Sequence, residues 1–261
     1  MTVADFTTVG RIEFGLIVSL SFRLVRLEWR RLALLAVLFL WAPYELYAAL
    51  YAFAFSHHAV AESVTVKVAI LLSYLALLST YNIGVSIALG GLLSRLDGAS
   101  GRRLALRAFP VGALLSTIGN APNLVALFTG TPTTWGAYVL LIAANSLVLF
   151  ALNLVFGSAM AVSLQEGKGA GRAIVRAAQL SSGARWRLAP VMLAYQATFA
   201  IGYVLLLAVG ASLNRGLAGH LGYAWIALTS LPMIAASALI YRELRRIKDG
   251  FSDEELSGIF D

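Results

Sequence analysis

The chain has 261 residues, 59% hydrophobic and 13% charged, with a mean hydropathy of +0.80 and a net charge of +7. Soluble domains carry about a quarter charged residues, so these proportions exclude a surface coated only by water and require lipid around much of the molecule. Cysteine is absent, which removes disulfides, thiolate metal sites, Fe–S clusters and a cysteine nucleophile.

No basic start, short apolar core and small-residue cleavage site follow one another at the N-terminus, so no removable signal peptide is read. From Val9 to Arg31 an apolar stripe (Ile12, Leu16, Leu20, Leu24, Leu27) opposes Ser19, Arg23, Arg26 and Arg30. That spacing predicts a helix lying in the membrane interface. Six apolar runs follow, each long enough for about 20 helical residues: 32–55, 64–93, 108–128, 135–164, 188–213 and 222–244. The second and fourth exceed the minimum span, which predicts tilt or projection beyond the hydrocarbon. The expected fold is one all-α integral membrane domain, six transmembrane helices arranged as three hairpins with amphipathic interfacial helices on the cytoplasmic side.

Orientation follows from the basic residues. Between spans on one side stand only Lys67 and Arg215. The remaining Lys and Arg precede the first span or occupy 95–107, 168–187 and 242–248. Positive loops stay inside, so both termini are expected in the cytoplasm of a bacterial inner membrane. Arg31-Leu32-Ala33, Arg103-Leu104-Ala105 and Arg187-Leu188-Ala189 each stand where a basic segment enters an odd-numbered span. This is either a threefold hairpin repeat or a consequence of topology alone.

The stretch Phe156–Leu193 joins two spans through a basic segment. Arg172, Arg176 and Gln179 fall on one side of it, and Ile174, Ala177, Ala178 and Ser181 on the other, predicting a second helix along the membrane surface. At the far end Gly250 suits a helix C-cap. Ser252 with Glu255 fits a capping box for a last short helix, whose acidic residues either fold back on the arginines or stay solvated.

Two of these stretches carry a resemblance. Glu166-Gly167, Ala173, Arg176, Leu180, Gly183 and Trp186-Arg187, together with the tail Tyr241, Glu243-Leu244-Arg245 and Lys248-Asp249-Gly250-Phe251, resemble the bacterial glycerophosphoryl-diester-phosphodiesterase membrane domain family. The resemblance implies a six-span membrane domain. In that family the domain accompanies a separate phosphodiesterase domain or stands alone without an established activity, and here the chain ends soon after the sixth span.

Polar residues inside the spans are the first functional candidates. Glu45 follows Pro43 in the first; Asn82, Asn120, Asn123, Asn145, Asn153 and Gln196 lie in the next four. A carboxylate in hydrocarbon costs about 2.5–3.5 kcal/mol on insertion scales, so Glu45 is expected to face protein or trapped water, with the amides as partners. Glu45, Asn82, Asn120 and Asn145 line a hydrophilic path or lipid-headgroup pocket, or else they are interhelical hydrogen bonds worth about 0.6 kcal/mol each. Small residues such as Gly84, Ala88, Gly157 and Ala161 permit close helix approach in the second case. No second intramembrane acid or base is read beside Glu45.

Arg23, Arg26, Arg30, Arg172 and Arg176 form a candidate collar on anionic phospholipid headgroups, at about 1 kcal/mol per side chain. His57, His58 and His220, with Glu62, are a weak candidate for a metal at the outer face, though the spacing matches no metal motif. Nucleic acid is disfavoured because the charge is dispersed over membrane-entry points without a base-stacking module. No phosphate-binding loop, G-x-S-x-G or H-E-x-x-H occurs, so no enzyme and no cofactor is expected. The leading expectation is a non-catalytic scaffold or accessory subunit beside another integral membrane protein, with the aromatic face of Trp41, Tyr44, Tyr47 and Tyr51 turned to lipid or that partner. The alternative is a lipid-handling or small-solute translocator built around Glu45.

Overall fold

The computed structural model describes residues 14–56, 64–97, 106–129, 134–213 and 215–249, and every regular element among them is helical. In chain order these are α1 (Phe14–Leu27), α2 (Trp29–Leu35), a π-helical turn (Ala36–Trp41), α3 (Ala42–Ser56), α4 (Val64–Asp97), α5 (Phe109–Gly119), α6 (Ala121–Thr129), α7 (Trp135–Phe156), α8 (Ala159–Gln165), α9 (Ala170–Ser181), α10 (Arg185–Leu213) and α11 (Arg215–Asp249). Five segments are long and apolar enough to cross a membrane: Trp29–Leu50, Thr65–Leu96, Trp135–Gln165, Arg185–Ser212 and Gly219–Asp249. The last short helix expected beyond Gly250 lies outside the described residues.

The third expected span is not one helix. It breaks at Asn120 (φ −95°, ψ 11°) between α5 and α6. Pro122 has no N–H to give the carbonyl of Ile118, so the ladder loses a bond there. At the break the Ser116 carbonyl accepts from both the Asn120 backbone N–H (2.9 Å) and its side-chain amide (2.8 Å). In the first span the backbone widens instead. The Pro43 ring would meet the Phe39 carbonyl in a regular α-helix, and the chain answers with the π-helical turn immediately before it, Ala42 N–H reaching Val37 O.

Both amphipathic helices pack more deeply than surface helices would. On α1 the inward face is Ile17 and Ser21, both buried, and the Ser21 hydroxyl bonds the Tyr195 hydroxyl of α10. Leu16 and Leu27 of the expected apolar stripe are instead exposed, beside Phe22 and Trp29. On α9 the residues Ala173, Ala177, Leu180 and Ser181 are fully or almost fully buried. Ser181 donates to the Val155 carbonyl of α7 at 3.0 Å, so α9 is seated in the bundle and only its Arg172 and Val175 side faces outward.

Two glycines make this seating possible. Gly167 (φ 64°) ends α8 and Gly183 (φ 83°) turns α9 into α10, conformations that a Cβ disfavours.

The close-packed core lies at the end of the bundle where the basic segments gather. It joins Leu32, Leu92, Leu93, Val111, Val162, Leu180, Val191, Tyr241 and Leu244, none more than 1% exposed. Small residues bring the helices together there: Ala88, Ala161, Ala235 and Ala238 are buried, and Gly84 faces Phe39. In contrast, Leu140 and Leu147 of α7 are about 70% exposed (71% and 67%), an outward apolar face suited to hydrocarbon.

Candidate functional site: an interior cavity

Beyond the packed core the helices diverge around a cavity of about 640 Å³. Ligand sites of small molecules fall in the range of roughly 300–1,000 Å³. One stripe of α7 runs its length, with Tyr138, Ile142, Asn145, Leu149, Asn153 and Phe156 at helical spacing. Opposite stand Tyr74, Tyr81 and Asn82 of α4, Ser116 and Asn120 at the α5–α6 break, Tyr195, Gln196 and Tyr203 of α10, and Tyr223 and Ser230 of α11. Among the described residues that line it there is no Asp, Glu, Lys, Arg or His.

Most polar groups in this wall satisfy one another. The Tyr74 hydroxyl donates to Asn120 Oδ1 at 3.0 Å, and Asn123 Nδ2 donates to the same oxygen at 3.3 Å. Asn82 Nδ2 donates to Ser116 Oγ and to the Leu78 carbonyl, each at 2.6 Å. Tyr81 and Ser230 share a bond of 3.0 Å between α4 and α11. Gly112 is what admits Asn82: a Cβ there would lie 2.6 Å from Asn82 Oδ1.

Two groups stand apart. Asn145 is 9% exposed, and neither its Oδ1 nor the Ser146 Oγ has a hydrogen-bond partner among the described residues. A buried acceptor left unpaired costs about 1–3 kcal/mol relative to a paired one.

Asn82, Asn120 and Asn145 line one cavity, and Glu45 is not among its lining residues. Its carboxylate accepts from Trp41 Nε1 at 2.8 Å and meets His220 Nδ1 at 2.5 Å. The expectation that the amides are its partners is corrected, as is the absence of a second titratable group beside it. The reason is that α11 begins at Arg215, earlier than the sixth span was placed, which puts His220 on a helix that reaches the Glu45 turn.

His220 thus pairs with a carboxylate, and His57, His58 and Glu62 lie outside the described residues. Among the described residues there is no cluster of three metal-ligating side chains.

The expected aromatic outer face is also revised. Tyr44 stacks on Tyr223 (centroids 5.2 Å apart) and Tyr47 packs on Tyr74 (5.5 Å), all four lining the cavity; Trp41 is partly exposed at 37%. Sequence reasoning overlooked these inward tyrosines. Their signal was present in the helical registers Tyr74–Tyr81 and Tyr138–Asn145.

The arginine collar divides. Arg23, Arg26, Arg30 and Arg172 are exposed, with Arg30 over the Trp29 ring at 5.6 Å. Arg176 is drawn away from it. Its guanidinium makes two bonds to Asp249 (2.7 and 2.6 Å) and approaches Glu166 at 3.3 Å. Glu166 also pairs with Lys168 at 2.5 Å and is approached by the buried Tyr241 hydroxyl at 3.5 Å. Together these ties bind α9, the α8 end and the α11 end into one latch. The hydrogen bonds to Asp249 lead the causes that raise the Arg176 pKa above its ordinary value, so it stays charged at any physiological pH.

Five helices of this length and apolarity define an all-α, multi-pass membrane protein. No family model, curated protein or solved structure matches the chain.

Proposed function

We propose that this chain is a non-catalytic inner-membrane protein that takes a lipid or small solute into its interior cavity. The observation that carries this reading is the cavity itself. It is of ligand size, and its polar wall is held in place by its own hydrogen bonds. Packing that served only to glue helices together would have little reason to leave such a volume unfilled.

The proposed topology has six spans, the broken α5–α6 pair forming the third, with the basic end and both termini in the cytoplasm. A broken helix beside a polar cavity is common where membrane proteins hold a substrate. The exposed arginines and the apolar residues Phe22, Leu27 and Trp29 of the first interfacial region rest on anionic phospholipid. The resemblance to the glycerophosphoryl-diester-phosphodiesterase membrane domain is retained as a proposal. Its support is that both resembling stretches converge on one latch, through Glu166, Arg176, Tyr241 and Asp249.

A second reading, an accessory subunit, is favoured by Trp186, an apolar side chain 88% exposed at the polar end of the molecule. Extraction from native membranes with mild detergent, followed by mass spectrometry of everything bound, separates the two. A stoichiometric small amphiphile is expected for the cavity reading. A tightly bound protein partner with no such molecule would refute it.

A further inference from the structure

The corner where α1 turns into α2 holds a cation that the rest of the molecule does not use. Arg31 of α2 lies against α4: a Cβ placed on Gly91 would stand 2.6 Å from Cζ and from both terminal nitrogens of its guanidinium. The group therefore rests face-on against bare backbone, at a position where glycine alone leaves room for it. Glu28, the nearest carboxylate along the chain, is taken by Arg95, one turn beyond Gly91 on α4. Among the described residues Arg31 has no hydrogen bond and no ion pair. A guanidinium offers a fixed fork of donors and accepts nothing, so a half-buried one without an acceptor calls for an anion from outside. Arg30 borders the same hollow, which is lined by Leu27, Glu28, Trp29, Arg30 and Arg31, and stands over the Trp29 ring at 5.6 Å.

The position of the corner selects the source of that anion. Trp29 opens the first segment able to cross a membrane. From Arg30, Leu34 and Leu38 follow in steps of four along the helix, 60% and 53% exposed, so a phosphate held at the corner has an outward apolar strip directly beyond it. Free phosphate would use only the first of these features, whereas a phospholipid uses both. With Glu28 taken by Arg95, the charges of Arg30 and Arg31 are uncompensated, which favours an anionic head over a zwitterionic one. We infer that the α1–α2 corner is a discrete site for one anionic phospholipid, its phosphate oxygens accepting from Arg31 and Arg30 and one acyl chain lying along Leu34 and Leu38. The inference rests on the membrane reading above and is independent of the cavity. It differs from a diffuse attraction to exposed arginines in requiring one geometry, the seat of Arg31 on Gly91.

The test strips the full chain of lipid in an uncharged detergent and titrates it with phosphatidylglycerol or phosphatidylcholine of the same chains, counting adducts by native mass spectrometry. The first phosphatidylglycerol is expected to bind at least about tenfold more tightly than phosphatidylcholine, since each basic side chain near an anionic head contributes about fivefold. Arg31→Gln should weaken it by on the order of tenfold, the loss of a charge-assisted contact, and Arg172→Gln, on α9, by no more than about twofold. Gly91→Ala is the sharper variant. The three atoms nearest the added methyl all belong to the Arg31 guanidinium, so the group is displaced with every charge retained, and the first phosphatidylglycerol should again weaken several-fold. An unchanged thermal unfolding midpoint verifies that the variants fold. Equal binding of the two lipids, an unaffected Gly91→Ala, or a loss in Arg172→Gln as large as in Arg31→Gln would overturn the site in favour of a diffuse basic surface. Displacement of the lipid by inorganic phosphate alone would overturn the lipid assignment and leave a free-phosphate site. A molecule held in the cavity should stay bound in Arg31→Gln, so the two readings fail separately, and a chain that stays monodisperse without detergent would remove the membrane reading itself.

Discussion

The Arg176–Asp249 pair offers the sharpest quantitative test of the architecture. Replacing Arg176 by Ala removes two charge-assisted hydrogen bonds of 2.7 and 2.6 Å and the approach to Glu166. Bonds to charged groups contribute roughly 1.5–3 kcal/mol when buried, and fully exposed pairs contribute about 0–1 kcal/mol. Here the side chains are 24% and 26% exposed, between those limits. Each acidic partner also keeps another cation, Glu166 at Lys168 and Asp249 at Arg245. An overall loss of about 1.5 kcal/mol follows, of which about 1 kcal/mol, roughly fivefold in an equilibrium constant, belongs to the Arg176–Asp249 pair itself. A double-mutant cycle with Asp249→Ala, read by denaturant unfolding in lipid–detergent micelles, measures that coupling. Arg176→Lys should lose about half, since one ammonium cannot face Asp249 and keep the separate Nε approach to Glu166.

The pH dependence has a definite sign. A raised folded-state pKa contributes stability that is full below the unfolded-state value and lost only as pH rises through the folded one. For Arg176 that window lies far above neutral, so its side of the latch should give a flat profile from about pH 6 to 9. A coupling energy indistinguishable from zero would refute the latch. So would an Arg176→Ala variant whose α11 terminus resists protease as well as the parent's.

Other perturbations probe separate parts. Gly183→Ala meets no neighbouring atom within 4 Å but must hold φ at 83°, so it should cost about 1–2 kcal/mol from backbone strain alone, and Gly183→Asn should recover part of that in the same unfolding assay. Ala177 is fully buried between α9 and the bundle, and Ala177→Leu should cost about 1–3 kcal/mol by overpacking and free α9 to proteolysis; unchanged digestion would mean that α9 is not seated. Glu45→Gln keeps an acceptor for Trp41 while removing the charge opposite His220. It should leave insertion and abundance unchanged on immunoblots of membrane fractions. Because the chain has no cysteine, single substitutions Gly98→Cys, Lys168→Cys and Thr131→Cys report topology directly. An impermeant maleimide applied to intact cells should label only position 131, and labelling at 98 or 168 would reverse the proposed orientation.

Solvation and helicity follow from the sequence directly, because hydropathy and run length along one dimension are enough to require helices in lipid. The α9 segment was legible as a helix from the 3.6-residue recurrence of its arginines, and the amides at positions 82, 120 and 145 as features set apart in apolar runs. How these parts meet was not legible. A span that is apolar all round carries no stripe to say which side turns inward, and in lipid no hydrophobic gradient supplies one. Rotation is set by close packing at Gly84, Gly112 and the buried alanines, and by the local breaks that Pro43 and Pro122 impose on the backbone. Only the tertiary structure therefore decided that Glu45 meets His220 and Trp41 and not the asparagines. It decided equally that Arg176 turns to Asp249, and that the tyrosines of five helices turn inward. The residues of the site were visible one at a time; their company depends on helix rotations that composition and periodicity leave open.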